Sequence, residues 1–386
     1  MACEPIRVLL VEDNPGDARL IHWMLREAGE GRFEFTEVDR LSAALRRLDE
    51  ESFCVVLLDL SLPDSQGMET FRAVYAAHPE TPIVVLTGLA DEDTAVRTVE
   101  EGAQDYLVKA QVHNGRLAHA LRYAVGRRRR QRCLEEARGA TEADLKLARR
   151  VQDYLLPKGP PACAGVDLHG ASFPAVTTSG DYFDYPPLGD GRVGMVIADV
   201  MGKGLGPALL MMATRAYLRA FAQVYPDIDR VLTLTNRALA GDVADDRFVT
   251  LLLAQFDVRR GILRYTNAGH NAGYVLDPSG AARALLYSTG LPLGIQPDGD
   301  FPVAPEVALA PGETVVLWTD GVVEAHSPTG EPFGEDRALN VVRSLSGRPA
   351  REVVTALCEE ARAFRDGLPQ EDDMTAIVLK MPPASQ

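Results

Sequence analysis

Five short strand-like runs, at residues 7–11, 33–38, 54–58, 83–86 and 106–108, all but the second nearly uninterrupted in apolar residues, alternate with amphipathic segments in the first 126 residues. A strand that is apolar on both faces has to be covered on both faces, and helices lying between successive strands make the crossovers parallel. The pattern predicts a doubly wound α/β domain, a five-stranded parallel sheet, over residues 1–126.

After that the pattern changes. Arg127, Arg128, Arg129 and Arg130 open a polar stretch with few turn residues that runs to Pro157 and predicts a helical linker at 127–160. Within it Leu145, Ala148, Val151 and Leu155 recur at three- and four-residue spacing, a narrow apolar stripe suited to a coiled coil or to docking on a domain. Residues 161–386 read as many strands (192–198, 248–258, 262–267, 273–276, 314–319, 375–380) with an apolar helix at 206–225 and a hairpin signal at Arg259, Arg260 and Gly261. An α+β domain, a β-sandwich flanked by helices, is expected there.

Composition narrows the function classes. Across 386 residues, 46% apolar and 25% charged content is globular rather than disordered, and a net charge of −15 argues against direct nucleic acid binding. Cys3, Cys54, Cys133, Cys163 and Cys358 are odd in number with no C-x-x-C pair, so neither a disulfide framework nor a zinc site is indicated. With no signal-peptide core and no membrane-length apolar run, a cytoplasmic protein without membrane contact is expected.

In the first domain the strands end at Glu12-Asp13, Asp59, Thr87 and Lys109. The carboxyl ends of parallel strands share one crevice, so these residues converge. Carboxylates gathered there suit Mg²⁺, which shares its site with phosphate, and Asp59 can attack a phosphoryl group while Lys109 pairs with the product. Thr87 can turn its hydroxyl toward that phosphate, leaving space for Tyr106, an aromatic switch. The segments VEDN, LLDLSLPDSQG, LTG and DYLVKA, over residues 6–126, closely resemble the receiver domain of bacterial two-component response regulators. The resemblance implies phosphorylation of Asp59 by a sensor histidine kinase and a Mg²⁺ site of Glu12, Asp13, Asp59 and Ser61. Where receivers usually carry Lys-Pro with a cis bond, this chain has Lys109-Ala110, and the geometry of that bond is left open.

In the third segment Asp181, Asp199, Asp320 and Asp372-Asp373 stand beside strands. Four such positions can bind two hard cations through one bridging carboxylate, and two cations activate a water and clamp a phosphoryl oxygen. Gly202-Lys203-Gly204 lacks the G-x-x-x-x-G-K-[ST] pattern of a nucleotide loop, and His270 reads either as a phosphate contact or as a hydrogen-bonded turn residue. The segments SGDYFDY, ADVMGKG, FVTLLL, TNAGHN, TGLPLG, WTDGVVEA, FGEDR and EDDMTAIVL, over residues 165–381, closely resemble PPM-type metal-dependent serine/threonine phosphatases of the SpoIIE/RsbU-like branch. LARRVQDYLLP resembles the helix that precedes the catalytic domain there. The resemblance implies two Mn²⁺ or Mg²⁺ ions bridged by Asp199, with Asp181, Val200, Asp320 and Asp372 or Asp373 completing the set. It implies as substrate a phosphorylated STAS-type anti-sigma-factor antagonist.

Together the halves predict a response regulator with an enzymatic output, dimeric through the linker helix. The competing expectation is a catalytically silent adaptor that holds a partner protein through the phosphatase fold. No helix-turn-helix is legible, which disfavours a transcription factor.

Overall fold

The computed structural model describes residues 5–28, 33–88, 92–112, 114–161, 165–189, 191–242 and 247–383. Cys3 and Cys163 lie outside them. The chain divides into two compact units, Met1–Ala140 and Thr141–Gln386. That division falls inside the segment expected as a linker.

The first unit runs β1 (Ile6–Val11), α1 (Pro15–Glu27), β2 (Phe33–Val38), α2 (Leu41–Glu50), β3 (Val55–Asp59), β4 (Ser61–Leu62), β5 (Ser65–Gln66), α3 (Met68–Ala77), β6 (Ile83–Thr87), α4 (Glu92–Glu100) and β7 (Asp105–Val108). Helix α5 (Asn114–Leu155) follows. The main sheet has order β2-β1-β3-β6-β7, all neighbours parallel, as predicted. Alternation along its central strands feeds two cores: Val8 and Leu10 pack with α1 and the start of α5, and Leu9 and Val11 pack with α2 and α3. Asn14 starts α1 by accepting the Gly16 amide at 2.8 Å, an N-cap that lets the helix begin right after the acidic pair. Among the described residues no peptide bond is cis, so Lys109-Ala110 is trans.

The second unit contains β8 (Asp167–Phe173), β9 (Tyr182–Asp184), β10 (Arg192–Val200), α6 (Leu205–Val224), α7 (Ile228–Asp242), β11 (Val249–Asp257), β12 (Ile262–Ala268), β13 (Gly273–Leu276), β14 (Ala282–Leu286), β15 (Val307–Ala308), β16 (Thr314–Trp318), α8 (Asp320–Val323), α9 (Gly334–Ser344), α10 (Ala350–Phe364) and β17 (Met374–Lys380). Two five-stranded sheets form, β15-β12-β11-β10-β9 and β14-β13-β16-β17-β8. Strands β8, β9, β14 and β15 go beyond the sequence expectation.

Period-two alternation sorts the side chains into three layers of core. Val193, Met195 and Ile197 of β10 meet Val315, Leu317, Ile377 and Leu379 between the sheets. Val196, Ala198 and Val200 face α6 and α7 instead, while Val316 and Trp318 face α9 and α10. The same alternation continues past the apolar residues. Asp199 follows Ile197, Asp181 precedes Phe183, Thr319 follows Leu317, and Asp373 and Thr375 precede Ile377, so all five belong to the inward series at one end of the sandwich. Among the described residues no helix is long and apolar enough to cross a membrane.

Candidate active sites

In the first unit Asp59 and Glu12 are buried, and Lys109 Nζ lies 2.6 Å from Asp59 Oδ2 and 2.6 Å from Glu12 Oε2. The ammonium also reaches Asp17 Oδ2 at 3.1 Å, a partner on α1 that the sequence reading did not single out. Burial opposes the Lys109 charge, yet the hydrogen bonds it donates to Asp59 and Glu12 outweigh it and raise its pKa. Burial pushes the Glu12 carboxyl up to about 6 against the pull of Lys109. Glu12, Asp13 and Asp59 each offer an oxygen within 4.8 Å of the others, and among the described residues no other group of three carboxylates is so tight. This oxygen-only set fits a hard divalent cation. Ser61 donates its amide to Asp59 Oδ1 at 3.0 Å, which holds the carboxylate in the crevice. Thr87 is buried with its hydroxyl on the Gly88 carbonyl at 3.2 Å, and Tyr106 is half-buried against the α2/α3 core.

In the second unit Asp181 is buried and accepts the Thr319 hydroxyl at 2.8 Å. Burial, then the neighbouring Asp199 charge, holds its pKa well above the usual carboxylate range. Asp199 is pushed up to about 7, first by burial and then by Asp320 and Asp372. Asp320 shifts the same way through burial, then Glu324 and Asp372. Carboxylates that raise one another in a poorly solvated place need positive charge, so Asp181, Asp199, Asp320 and Asp372 fit divalent cations. Val200 could contribute only its carbonyl oxygen, which lies against Gly180, where a Cβ would stand 3.2 Å from it.

Asp372, the ligand that the sequence reading favours, and Asp373, its adjacent alternative, have separate surroundings. Asp373 is buried; its Oδ1 accepts the Ala175 amide at 2.7 Å, and its Oδ2 accepts the Ser179 hydroxyl and the Gly180 amide, both at 2.8 Å. It is a clamp on the loop that carries Asp181. Asp372 is half-buried, with Oδ1 taking the Asp373 amide at 2.9 Å and Oδ2 facing Lys203 Nζ at 3.1 Å. Gly321 fits this corner because any Cβ there would collide with the Asp373 carbonyl. His270 is only 6% exposed, its Nδ1 lies 2.8 Å from Thr250 Oγ1, and its amide donates to Asn267 Oδ1 at 2.8 Å. It is the buried turn residue of the two alternatives. Thr250 pairs across the sheet with Asp199, so His270 stands behind that carboxylate.

Gln152, near the end of α5, was not foreseen. It is 1% exposed, donates to the Ser179 carbonyl at 2.9 Å and accepts the Ser179 amide at 3.1 Å. Through Ser179 it is two hydrogen bonds from Asp373 and two residues from Asp181. On the other side of the same strand, the buried Asp184 is gripped by Arg219 of α6 at 2.5 and 2.6 Å and by the Tyr182 hydroxyl at 2.7 Å.

A crevice of acids and one lysine at the carboxyl ends of a parallel sheet and an acid-lined sandwich end define a receiver joined to a PPM-type phosphatase domain. Residues 189–382, half of the chain, match the family described as Stage II sporulation protein E (SpoIIE), and residues 8–122 match the response regulator receiver domain. The chain belongs to the SpoIIE family and carries a receiver domain. It is 28% identical over 336 residues to protein IcfG of Synechocystis sp., covering 78% of this chain and 51% of that protein. It is 28% identical over 240 residues to phosphoserine phosphatase RsbU of Bacillus subtilis, covering 62% of this chain and 70% of that one. The chain thus spans about half the length of IcfG. The SiaA-PP2C domain of Pseudomonas aeruginosa shares the fold, with a TM-score of 0.56 and 23% identity over 64% of this chain and 98% of that domain.

Proposed function

We propose that this chain is a metal-dependent phosphoserine/phosphothreonine protein phosphatase whose activity is controlled by phosphorylation of Asp59. The observation that carries the reading is the convergence of Asp181, Asp199, Asp320 and Asp372 at one end of the sandwich, where burial and neighbouring acids raise the proton affinities of the first three. When bound, two Mn²⁺ or Mg²⁺ ions supply water activation and neutralise charge on the transferring phosphoryl group. The chain's own part is to hold the ligands rigid. Thr319 orients Asp181, Asp373 ties down the Ser179-Gly180 loop, and Lys109 in the receiver balances Asp59 and Glu12 before phosphate arrives.

Control runs through α5. The Gln152–Ser179 bonds give its last turn a direct hold on the ligand loop, so a change in the helix is felt at Asp181. Leu147, Val151 and Tyr154 are exposed at four- and three-residue spacing, a stripe suited to dimerisation with a second copy. The substrate, by likeness to RsbU, is a phosphorylated STAS-type anti-sigma-factor antagonist, and the upstream donor is a sensor histidine kinase in the cytoplasm.

The test is hydrolysis of an aryl phosphate, then of a phosphoserine protein, by the full chain with Mn²⁺, with EDTA, and with beryllofluoride standing in for the Asp59 phosphate. Metal-dependent turnover altered by beryllofluoride is expected, and Asp59→Ala should keep basal turnover but lose the response. No turnover despite bound metal would favour the adaptor. Light scattering with and without beryllofluoride checks the dimer, and a monomer in both states would count against it.

A further inference from the structure

We propose that Lys203 is a built-in competitor of the divalent cation: its ammonium occupies Asp372 and thereby weakens metal binding at that carboxylate. The inference rests on Asp372 being a metal ligand, as read above. Lys203 Nζ lies 3.1 Å from Asp372 Oδ2 and also donates to the Glu371 carbonyl. The other oxygen of Asp372 accepts the Asp373 amide at 2.9 Å, so both sides of the carboxylate are engaged. The lysine's place is set by its loop. Gly202 and Gly204 flank it with φ of +96° and +89°, a left-handed pair that L side chains rarely adopt, and this folds the segment over the acidic end. Lys203 also lowers the proton affinity of Asp320, so its charge is felt beyond Asp372.

A carboxylate oxygen that points at an ammonium is not free for a hard cation, which takes the same oxygen at short range. Metal binding at Asp372 therefore requires Lys203 to leave or to share. The lysine and aspartate side chains are 47% and 45% exposed, so the pair is a weak, solvated one that is easily displaced. It acts as a threshold on metal concentration. Among the described residues the two inner carboxylates, Asp181 and Asp199, have no such ion pair, and what raises their proton affinity is burial and other acids. The competition is thus confined to the outer side of the centre.

The experiment is Mn²⁺ binding to the full chain, with the receiver's own cation site disabled by Asp13→Asn throughout, followed by the electron paramagnetic resonance signal of free Mn²⁺ and by calorimetry, for wild type at position 203, Lys203→Gln and Lys203→Arg at one pH and ionic strength. Lys203→Gln should tighten the weaker Mn²⁺ dissociation constant by about two- to fivefold, the range of an exposed ion pair. Lys203→Arg, which keeps the charge, should stay close to wild type. The Mn²⁺-induced rise in melting temperature should be larger in Lys203→Gln than in wild type, which shows at the same time that the variant is folded. Equal or weaker Mn²⁺ binding by Lys203→Gln would overturn the competition while leaving the metal centre intact. No Mn²⁺ binding by wild type would overturn the phosphatase reading itself, and this inference with it.

Discussion

Lys109 in the receiver reaches three carboxylates from a side chain that is 24% exposed, whereas Lys203 in the phosphatase reaches one, Asp372, from a side chain that is 47% exposed. The receiver's acids are thus balanced by the protein itself. The phosphatase's inner acids, Asp181 and Asp199, instead have their proton affinities raised by burial and by neighbouring acids. The difference follows from architecture. A parallel sheet delivers lysine and carboxylates to neighbouring strand ends, while an antiparallel sandwich brings inward-facing acids together from both sheets with only a surface loop to offer a cation. One centre carries its ammonium among the acids, the other carries it at the rim, on Asp372.

The largest effect should come from Asp199→Ala. Hydrolysis should fall to background while beryllofluoride binding at the receiver stays at the wild-type level, and retained turnover would undo the metal assignment. Arg219→Ala should come next, since it removes the two-pronged partner of the buried Asp184 and leaves it only the Tyr182 hydroxyl and Arg215 Nε at 3.8 Å. Breaking such a pair costs several kcal/mol, and about 3 kcal/mol is expected here because Arg219 keeps 34% of its side chain in solvent. Urea unfolding reads it, and no shift in midpoint would mean that Asp184 finds enough support from Tyr182.

The third effect depends on pH. Burial lowers the His270 pKa from 6.5 to about 4, so between these values the unfolded chain binds a proton that the folded chain does not. His270 therefore contributes stability that is fully present above pH 6.5 and is lost as pH falls toward 4, up to about 3 kcal/mol at one pKa unit per ~1.4 kcal/mol. Urea midpoints in EDTA at falling pH should decline less steeply for His270→Gln than for wild type, and parallel slopes would refute the role. The smallest change in stability belongs to Gln152→Ala, about 1–2 kcal/mol for leaving the Ser179 backbone groups without their partner. Its sharper readout is regulatory: the response to beryllofluoride should be lost while turnover at saturating Mn²⁺ persists.

The receiver was legible nearly in full because its inner strands are nearly continuous apolar runs and the edge strand β2 keeps an apolar residue at Phe33, Phe35 and Val38, and all five appear where the sequence puts them within a residue or two. The sandwich was legible in its central strands only. Strand β8, with His169, Gly170 and Ser172, has no apolar alternation, since the space beside Gly170 is filled by Phe183, Tyr185 and Ile377 from neighbouring strands. Of the site, the aspartates stood out as repeated acid–strand junctions. Counting by twos from Phe183 and Leu317 would also have marked Thr319 as sharing the inward face with Asp181, which accepts its hydroxyl. Gln152 and Ser179 could not be found that way, because a side chain bonded to a backbone leaves no periodic trace in a sequence. The separation of Asp372 from Asp373 likewise needed the loop of Ser179 to be in place.

Gly321 changes what should be looked for in relatives that have lost activity. The Asp373 carbonyl occupies the place of its missing side chain, so even an alanine there would force the turn after β16 away from the approach to β17. That movement would part Asp320 from Asp372 with every aspartate still spelled out in the chain. A catalogue of ligands alone would score such a homologue as an enzyme. The more discriminating letter is the one that carries no chemistry, and silent members of the family are to be sought among chains that keep four aspartates but have lost this glycine.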